Sequence, residues 1–379
     1  HAQHGILVLF TTIPVLSLLA GQLNYDNLRL LLVSLAVLLT MNVTSELRAG
    51  VVSGRTACTL LIVCALATLT KYAFLPIFVA IVLFIALQVF AKRKQLVAVG
   101  YSDLKIRLRR ALKQPVAVLL LLCILILMGL GFQRYGINVV RYHSPIPDCD
   151  QVISVDECLQ YAPWGRDYHY VQNNTDWTRV NVVKYANMWI HQILRELYFT
   201  IYAAFMPNGK VGYHAAEPLP LMIILGWTVC ISGTVAVLAC AKRLWDDPML
   251  RLFGLIIVVY VGILFLQNYK MYVRTAIPVA IHGRYLLPLL PFLFVLYFRA
   301  YGLLFDQVGA HMRAVQQHRQ QIVLAGWALL LLVGLQGGGF LTHIVRSDSR
   351  WFWQESSTAQ KLNDSARGVL EPLIIEKTL

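Results

Sequence analysis

The chain has 379 residues, 58% hydrophobic and 14% charged, with a formal net charge of +14. A soluble globule carries about 25% charged residues, so this composition excludes one and specifies a polytopic helical membrane protein. The basic excess lies in short loops between apolar runs, as the positive-inside bias requires, which argues against nucleic acid as the partner.

Crossing a bilayer core takes roughly 20 apolar residues. Nine apolar spans satisfy or approach this, at about 5–20, 28–43, 56–71, 74–91, 115–132, 219–241, 252–268, 284–304 and 321–342. They divide the chain into five N-terminal spans (1–132), a long polar segment (133–218), four C-terminal spans (219–342) and a polar tail (343–379). The segment 92–114 holds eight Lys/Arg against one Asp and anchors the cytosolic face. Alternation from it places 133–218, 268–283 and the tail outside and residue 1 inside. In 133–218 seven Lys/Arg balance eight Asp/Glu, consistent with an external loop. The expected location is an inner (plasma) membrane.

The opening at His1, with an apolar run almost at once, leads us to expect further spans upstream. The external loop is rich in Trp and Tyr. Its stretch from Val180 to Gly209 has helical spacing, broken at Pro207-Asn208-Gly209. Lys184, His191 and Arg195 share one face, opposite Trp189, Ile193 and Leu197, which reads as a helix lying in the outer interface. The basic stripe is either a solvated face above lipid-facing residues or a contact to a lipid phosphate. In the tail, Trp351-Phe352-Trp353 suits an interfacial anchor.

The seven cysteines form no CxxC and no metal spacing. Cys149 and Cys158 share the external loop, where a disulfide is expected if that side is oxidising. Cys58, Cys64, Cys123, Cys230 and Cys240 lie in apolar spans and read as small packing residues.

The spans are nearly free of ionisable residues, which instead gather at outer helix ends, so a surface-facing site is expected rather than a conduction path. Asp26, in LNYDNL, is the lone acid of its short loop. It can orient an acceptor or a divalent ion, or it can cap the helix that follows together with Asn24. Lys71, Lys270, Arg274 and Arg284 supply cations at the same level, for phosphate recognition or for snorkelling to lipid headgroups. Arg284 is the stronger candidate: it sits in His282-Gly283-Arg284-Tyr285, ahead of an apolar helix with Pro288 and Pro291 in its first turns, and snorkelling alone does not call for the glycine. The external histidines His143, His169, His191 and His282 show no ligand spacing. No P-loop, GxGxxG, HExxH or GxSxG motif is present, which argues against a cytosolic nucleotide as donor.

The combination of LNYDNL, LTKYAFLP, HGRYLLPLLP and SDSRWFW resembles a family of bacterial multi-pass membrane proteins of unknown function. That family is similar to the GT-C glycosyltransferases of the protein mannosyltransferase and aminoarabinose transferase kind. The resemblance implies a GT-C-like helical bundle that moves a sugar from a polyprenyl-phosphate donor to a glycan, lipid or protein acceptor at the external face. It implies a secondary acid at Asp26 and a lipid-phosphate site drawn from Arg284, Arg274, Tyr285, Lys71, Lys184, His191 and Arg195. No cofactor is required beyond the divalent ion left open at Asp26. The principal acid of such enzymes lies in an earlier external loop with no counterpart here, so this stretch is expected to be inactive without the spans that would carry that loop. The rival readings are a flippase for lipid-linked sugar and a non-catalytic membrane subunit.

Overall fold

The computed structural model describes residues 25–50, 53–97, 114–173, 181–198, 200–205, 211–216, 220–279, 281–309 and 356–373, with isolated residues outside these ranges. The spans at 5–20 and 321–342, the centre of the basic loop and Trp351-Phe352-Trp353 lie outside the described residues. The chain forms two compact units. One comprises residues 25–182 and 255–280, the other residues 1–24, 183–254 and 281–379.

In the first unit, helices α1 (Tyr25–Arg48), α2 (Gly54–Thr70), α3 (Leu75–Val97) and α4 (Pro115–Gly131) follow the expected spans closely. α1 packs on α2 and α3, and α2 on α4. Fully buried Ala36, Ala67 and Ala80 let these helix backbones approach closely, as small residues do where no hydrophobic effect draws helices together in lipid. The faces left exposed carry Leu31, Leu38, Val79, Leu119 and Ile126, and α4 buries no residue. Such a surface suits hydrocarbon and not water. A π-helical turn, Phe132–Gly136, joins α4 to α5 (Ile137–Tyr142).

The ends of α2 are closed by side chains. At its start the Glu46 carboxylate accepts from Ser53 N (2.8 Å) and from Thr56 Oγ1 (2.7 Å). At its end, Arg134 Nη1 donates to Leu69 O (2.6 Å) and Tyr135 Oη to Thr68 O (2.8 Å). Helix ends leave carbonyls without intrahelical partners, and near a bilayer these need internal donors. The π turn therefore has a local purpose, since it aims two successive side chains at the end of α2.

Beyond α5 the chain stays in short helices, α6 (Cys149–Val152), α7 (Val155–Leu159) and α8 (Ala162–Asn173). Capping boxes at Asp148 and Ser154 start the first two. Cys149 and Cys158 are joined by a disulfide across a Cα separation of 5.8 Å.

In the second unit, α9 (Val182–Tyr198) is followed by strands β1 (Thr200–Phe205) and β2 (Val211–Ala216). They form an antiparallel pair in which Thr200 faces Ala216 and Phe205 faces Val211. This corrects the expectation of helix as far as Pro207. The sequence from Thr200 to Phe205 is TIYAAF, rich in β-branched and aromatic residues, as strands are; Pro207-Asn208-Gly209 lies outside the described residues. The described residues are otherwise helical.

α10 (Pro220–Ala239), α11 (Ala241–Asp246), α12 (Pro248–Thr275) and α13 (Leu290–Gly309) complete the expected C-terminal spans among the described residues. α12 gives residues 248–254 to the second unit and the rest to the first. α10 and α13 lie together on a polar seam. Tyr297 Oη pairs with Thr234 Oγ1 (3.1 Å) and donates to Cys230 O (3.2 Å), while Ser232 Oγ pairs with Tyr301 Oη (2.7 Å). Gly233 lies under the Tyr297 ring, 2.5 Å from where a Cβ would stand. α14 (Thr358–Leu370), capped by Ser357, lies in the tail.

The late span starts later than its apolar run. Residues Gly283–Leu286 form a 3-10 turn and α13 begins at Leu290. Pro288 thus precedes the helix, and only Pro291 sits in its first turn, where a missing N–H costs nothing.

Candidate functional site

Two clusters of charged side chains stand out, one in each unit. The first is built at the start of α1. Asp26 falls inside the first helical turn, one residue beyond the helix start, so it is not the N-cap residue. Its carboxylate favours the positive end of the helix dipole. Asp26 Oδ1 lies 2.7 Å from Lys71 Nζ and 3.3 Å from Arg29 Nη2, one turn on. Asp26 is 3% exposed and Arg29 1%. Lys71 reaches this site because the chain turns extended at Lys71 when α2 ends, and its Nζ also lies 4.5 Å from the Tyr25 ring centroid.

These contacts correct two expectations. Asp26 is not an open acid of an external loop but the buried counter-ion of two cations. Lys71 does not snorkel, because its charge is spent on that carboxylate. A carboxylate engaged by two cations and shut away from solvent is poorly placed to reach an acceptor hydroxyl. Arg29 is the residue that sequence reasoning missed. Its signal was an arginine just inside an apolar span, three residues after an acid, a spacing that places both on one helical face.

The second cluster gathers on α9 and on the 3-10 turn Gly283–Leu286. A Cβ at Gly283 would stand 2.6 Å from Leu197 N and 2.9 Å from Ile193 O. Only glycine allows the turn to lie directly on the α9 backbone. The glycine thus has a packing reason of its own, independent of Arg284. That contact brings His282 Nδ1 to 3.7 Å from Glu196 Oε2, an ion pair when the imidazole is protonated. Gln192 Nε2 holds the other carboxylate oxygen at 2.8 Å. The His282 ring meets Tyr285 edge-on at 5.7 Å, and the Arg284 guanidinium lies 5.6 Å from the Tyr285 ring centroid. Arg284 Nε is buried without an acceptor among the described residues. The His282 side chain is 45% exposed and that of Glu196 21%, so this cluster, unlike the first, is open to a ligand.

The remaining candidates separate. On α9, Lys184 and His191 are exposed and Arg195 is half-buried. Opposite them Tyr185, Trp189, Ile193 and Leu197 are buried, which corrects the expectation that this apolar stripe faces lipid. Its i, i+4 spacing fits a protein core as well as a bilayer. His191 accepts a hydrogen bond from Trp227 Nε1 (3.4 Å) and stacks on that ring. Arg274 meets Asp148 at 3.4 Å in the first unit, whereas Arg284 belongs to the second. Lys270 is exposed. His143 ends α5 in a left-handed conformation (φ 54°), and His169 meets Tyr168 edge-on. Among the described residues no three His, Cys, Asp or Glu side chains gather as a metal ion needs.

The fold and these clusters define the class as a helical membrane protein with its charges gathered near helix ends. Four described helical stretches, 25–48, 72–92, 115–142 and 248–275, are long and apolar enough to cross a membrane. Comparison with family models, curated proteins and solved structures gives no match to this chain.

Proposed function

We propose that the complete protein is a GT-C-like membrane glycosyltransferase, moving a sugar from a polyprenyl-phosphate donor to an acceptor hydroxyl at the external face of the plasma membrane. The observation that carries this reading is the open cluster of Glu196, His282, Arg284 and Tyr285. It puts a cation with a spare donor beside a carboxylate-paired histidine. Sugar transfer with inversion needs two such groups. The hydroxyl oxygen attacks the anomeric carbon as the bond to the phosphate oxygen breaks. A base takes the hydroxyl proton, and a cation stabilises the charge growing on the departing phosphate. His282, with Glu196 beside it to orient the ring, is the base in this proposal. Arg284 is the cation, and Tyr285 positions it.

The orientation is part of the same proposal. A disulfide persists in oxidising compartments, so Cys149–Cys158 supports an external position for residues 143–173. Within the first unit, Lys71 meets Asp26 and Arg134 meets the end of α2. The start of α1, the end of α2 and the end of α4 therefore share one level, which the disulfide-bearing segment follows directly. The N-terminal side of α1 is then external and its C-terminal side cytosolic.

The test is transfer of labelled sugar from a polyprenyl-phosphate donor in membranes carrying the complete protein. Wild type is expected to consume the donor, and Glu196→Gln to lower turnover without loss of folded protein. Donor left intact by well-folded wild type, across a panel of polyprenyl-phosphate sugars, would remove the transferase reading.

A further inference from the structure

The tail helix α14 is 13 residues long and buries none of them. A helix this short is marginal in water unless packing supports it. Ser357 caps it, its Oγ accepting from Gln360 N at 3.1 Å, but one cap does not replace a packed face. At about 100° per residue, Ala359, Leu362, Ala366, Val369 and Leu370 share a sector roughly 100° wide, the stripe of an amphipathic helix. Leu362 is 68% exposed and Val369 74%, so the stripe lies open. Asp364 falls on the opposite side, and Lys361 and Arg367 flank the stripe at roughly 120° to either side of its centre.

We infer that α14 lies on the bilayer that holds the spans, with the stripe of Leu362 and Val369 in the boundary between headgroups and acyl chains. The flanking cations fit this placement. Lys and Arg sink their stems beside an apolar stripe and keep their charges among headgroup phosphates, while Asp364 on the far side stays in water. The tether fits as well. Trp351-Phe352-Trp353, a composition suited to the headgroup level, ends four residues before Ser357, a reach of at most about 15 Å. So short a tether keeps the helix at the bilayer at high effective concentration, and a stripe too small to hold a free peptide there is then enough. A protein partner is disfavoured, because α14 offers none of the aromatic anchors that dominate protein interfaces. The placement of α14 depends on the membrane-protein reading and not on sugar transfer.

The experiment is fluorescence quenching of the full chain in nanodiscs. A nitrobenzoxadiazole label is placed on Leu362→Cys or on Asp364→Cys, and the signal of identically treated wild type is subtracted for the free cysteines of the spans. Both positions are exposed, so both variants should fold as wild type does. Doxyl-lipid is expected to quench the label at position 362 at least about 3-fold more than at position 364, and aqueous iodide to show the reverse order. Val369→Glu, which puts a charge on the stripe, is expected to abolish doxyl quenching at position 362. Iodide quenching of both positions alike, with no doxyl quenching, overturns the proposal by placing the helix in water. Shielding of position 362 from both quenchers also overturns it, and assigns the stripe to a protein contact. Equal doxyl quenching at the two positions, or full doxyl quenching retained in Val369→Glu, overturns it as well, since neither follows from a one-sided apolar contact.

Discussion

The two charged clusters use similar residues and differ in burial. Around Asp26, a carboxylate and two cations are shut into the helix bundle, and the carboxylate is committed to both cations. Around Glu196, a carboxylate and a histidine stand half open, held apart by 3.7 Å, with an arginine nearby. The difference teaches that burial, more than residue type, sets what a charged group can do. A buried ion is bound to its partner because leaving it strands an uncompensated charge, whereas a half-exposed one can trade its partner for a ligand or a proton.

The sharpest way to break the comparison is to remove one cation from the closed cluster. Lys71→Met keeps the length and loses the charge; Asp26 retains Arg29 as its partner, so stability is expected to fall by about 1.5–3 kcal/mol, the range for losing a hydrogen bond to a charged group. Denaturant unfolding in detergent measures it, and a loss under about 1 kcal/mol would mean the cluster is wetter than its burial implies. The same kind of change in the open cluster should spare the fold. Arg284→Ala is expected to cut sugar transfer by at least about 100-fold, in line with loss of one preorganised donor, with unfolding unchanged. Wild-type turnover in that variant would sink the role given to Arg284.

Smaller effects sharpen how each cluster is assembled. Gly283→Ala drives a Cβ against the α9 backbone rather than against a movable side chain. It should cost roughly 1–3 kcal/mol, as overpacking does, and it should weaken transfer by parting His282 from Glu196. Unchanged stability would show that the turn can lift off α9 freely. Least of all, Lys270→Ala at an exposed position should alter stability by no more than about 0.5 kcal/mol. A larger change, read by the same unfolding curve, would reveal a role for Lys270 that its exposure does not predict.

Much of the fold was legible because bilayer physics writes itself into composition. The apolar runs at 28–43, 56–71, 74–91, 115–132, 219–241 and 252–268 reappear as helices with ends shifted by a few residues. The last described span was legible in existence but not in its start, since 3-10 and α turns share a local pattern and the prolines tolerate both. The hairpin after α9 was hidden for a related reason: a short apolar run bears no period long enough to separate strand from helix. At the sites, Asp26, Lys71 and Arg284 were visible as polar residues at apolar borders. Glu196 was not, because its partner His282 is remote in sequence and on another element, while Arg29 went unread although its spacing from Asp26 places both on one helical face.

Hydropathy and charge patterning alone specify a helical membrane protein, most of its described spans and the gathering of charges near helix ends. These follow from the cost of exposing backbone polar groups and charges to hydrocarbon, a cost that acts residue by residue and needs no knowledge of neighbours. Which charges meet is a matter of packing. Asp26 and Lys71 are joined across two helices, Glu196 and His282 across a contact that only Gly283 permits, and the stripe on α9 faces protein because the chain folds over it. Pairwise electrostatics falls off over a few ångströms, so the role of each ion was fixed only when tertiary contacts brought its partner within reach.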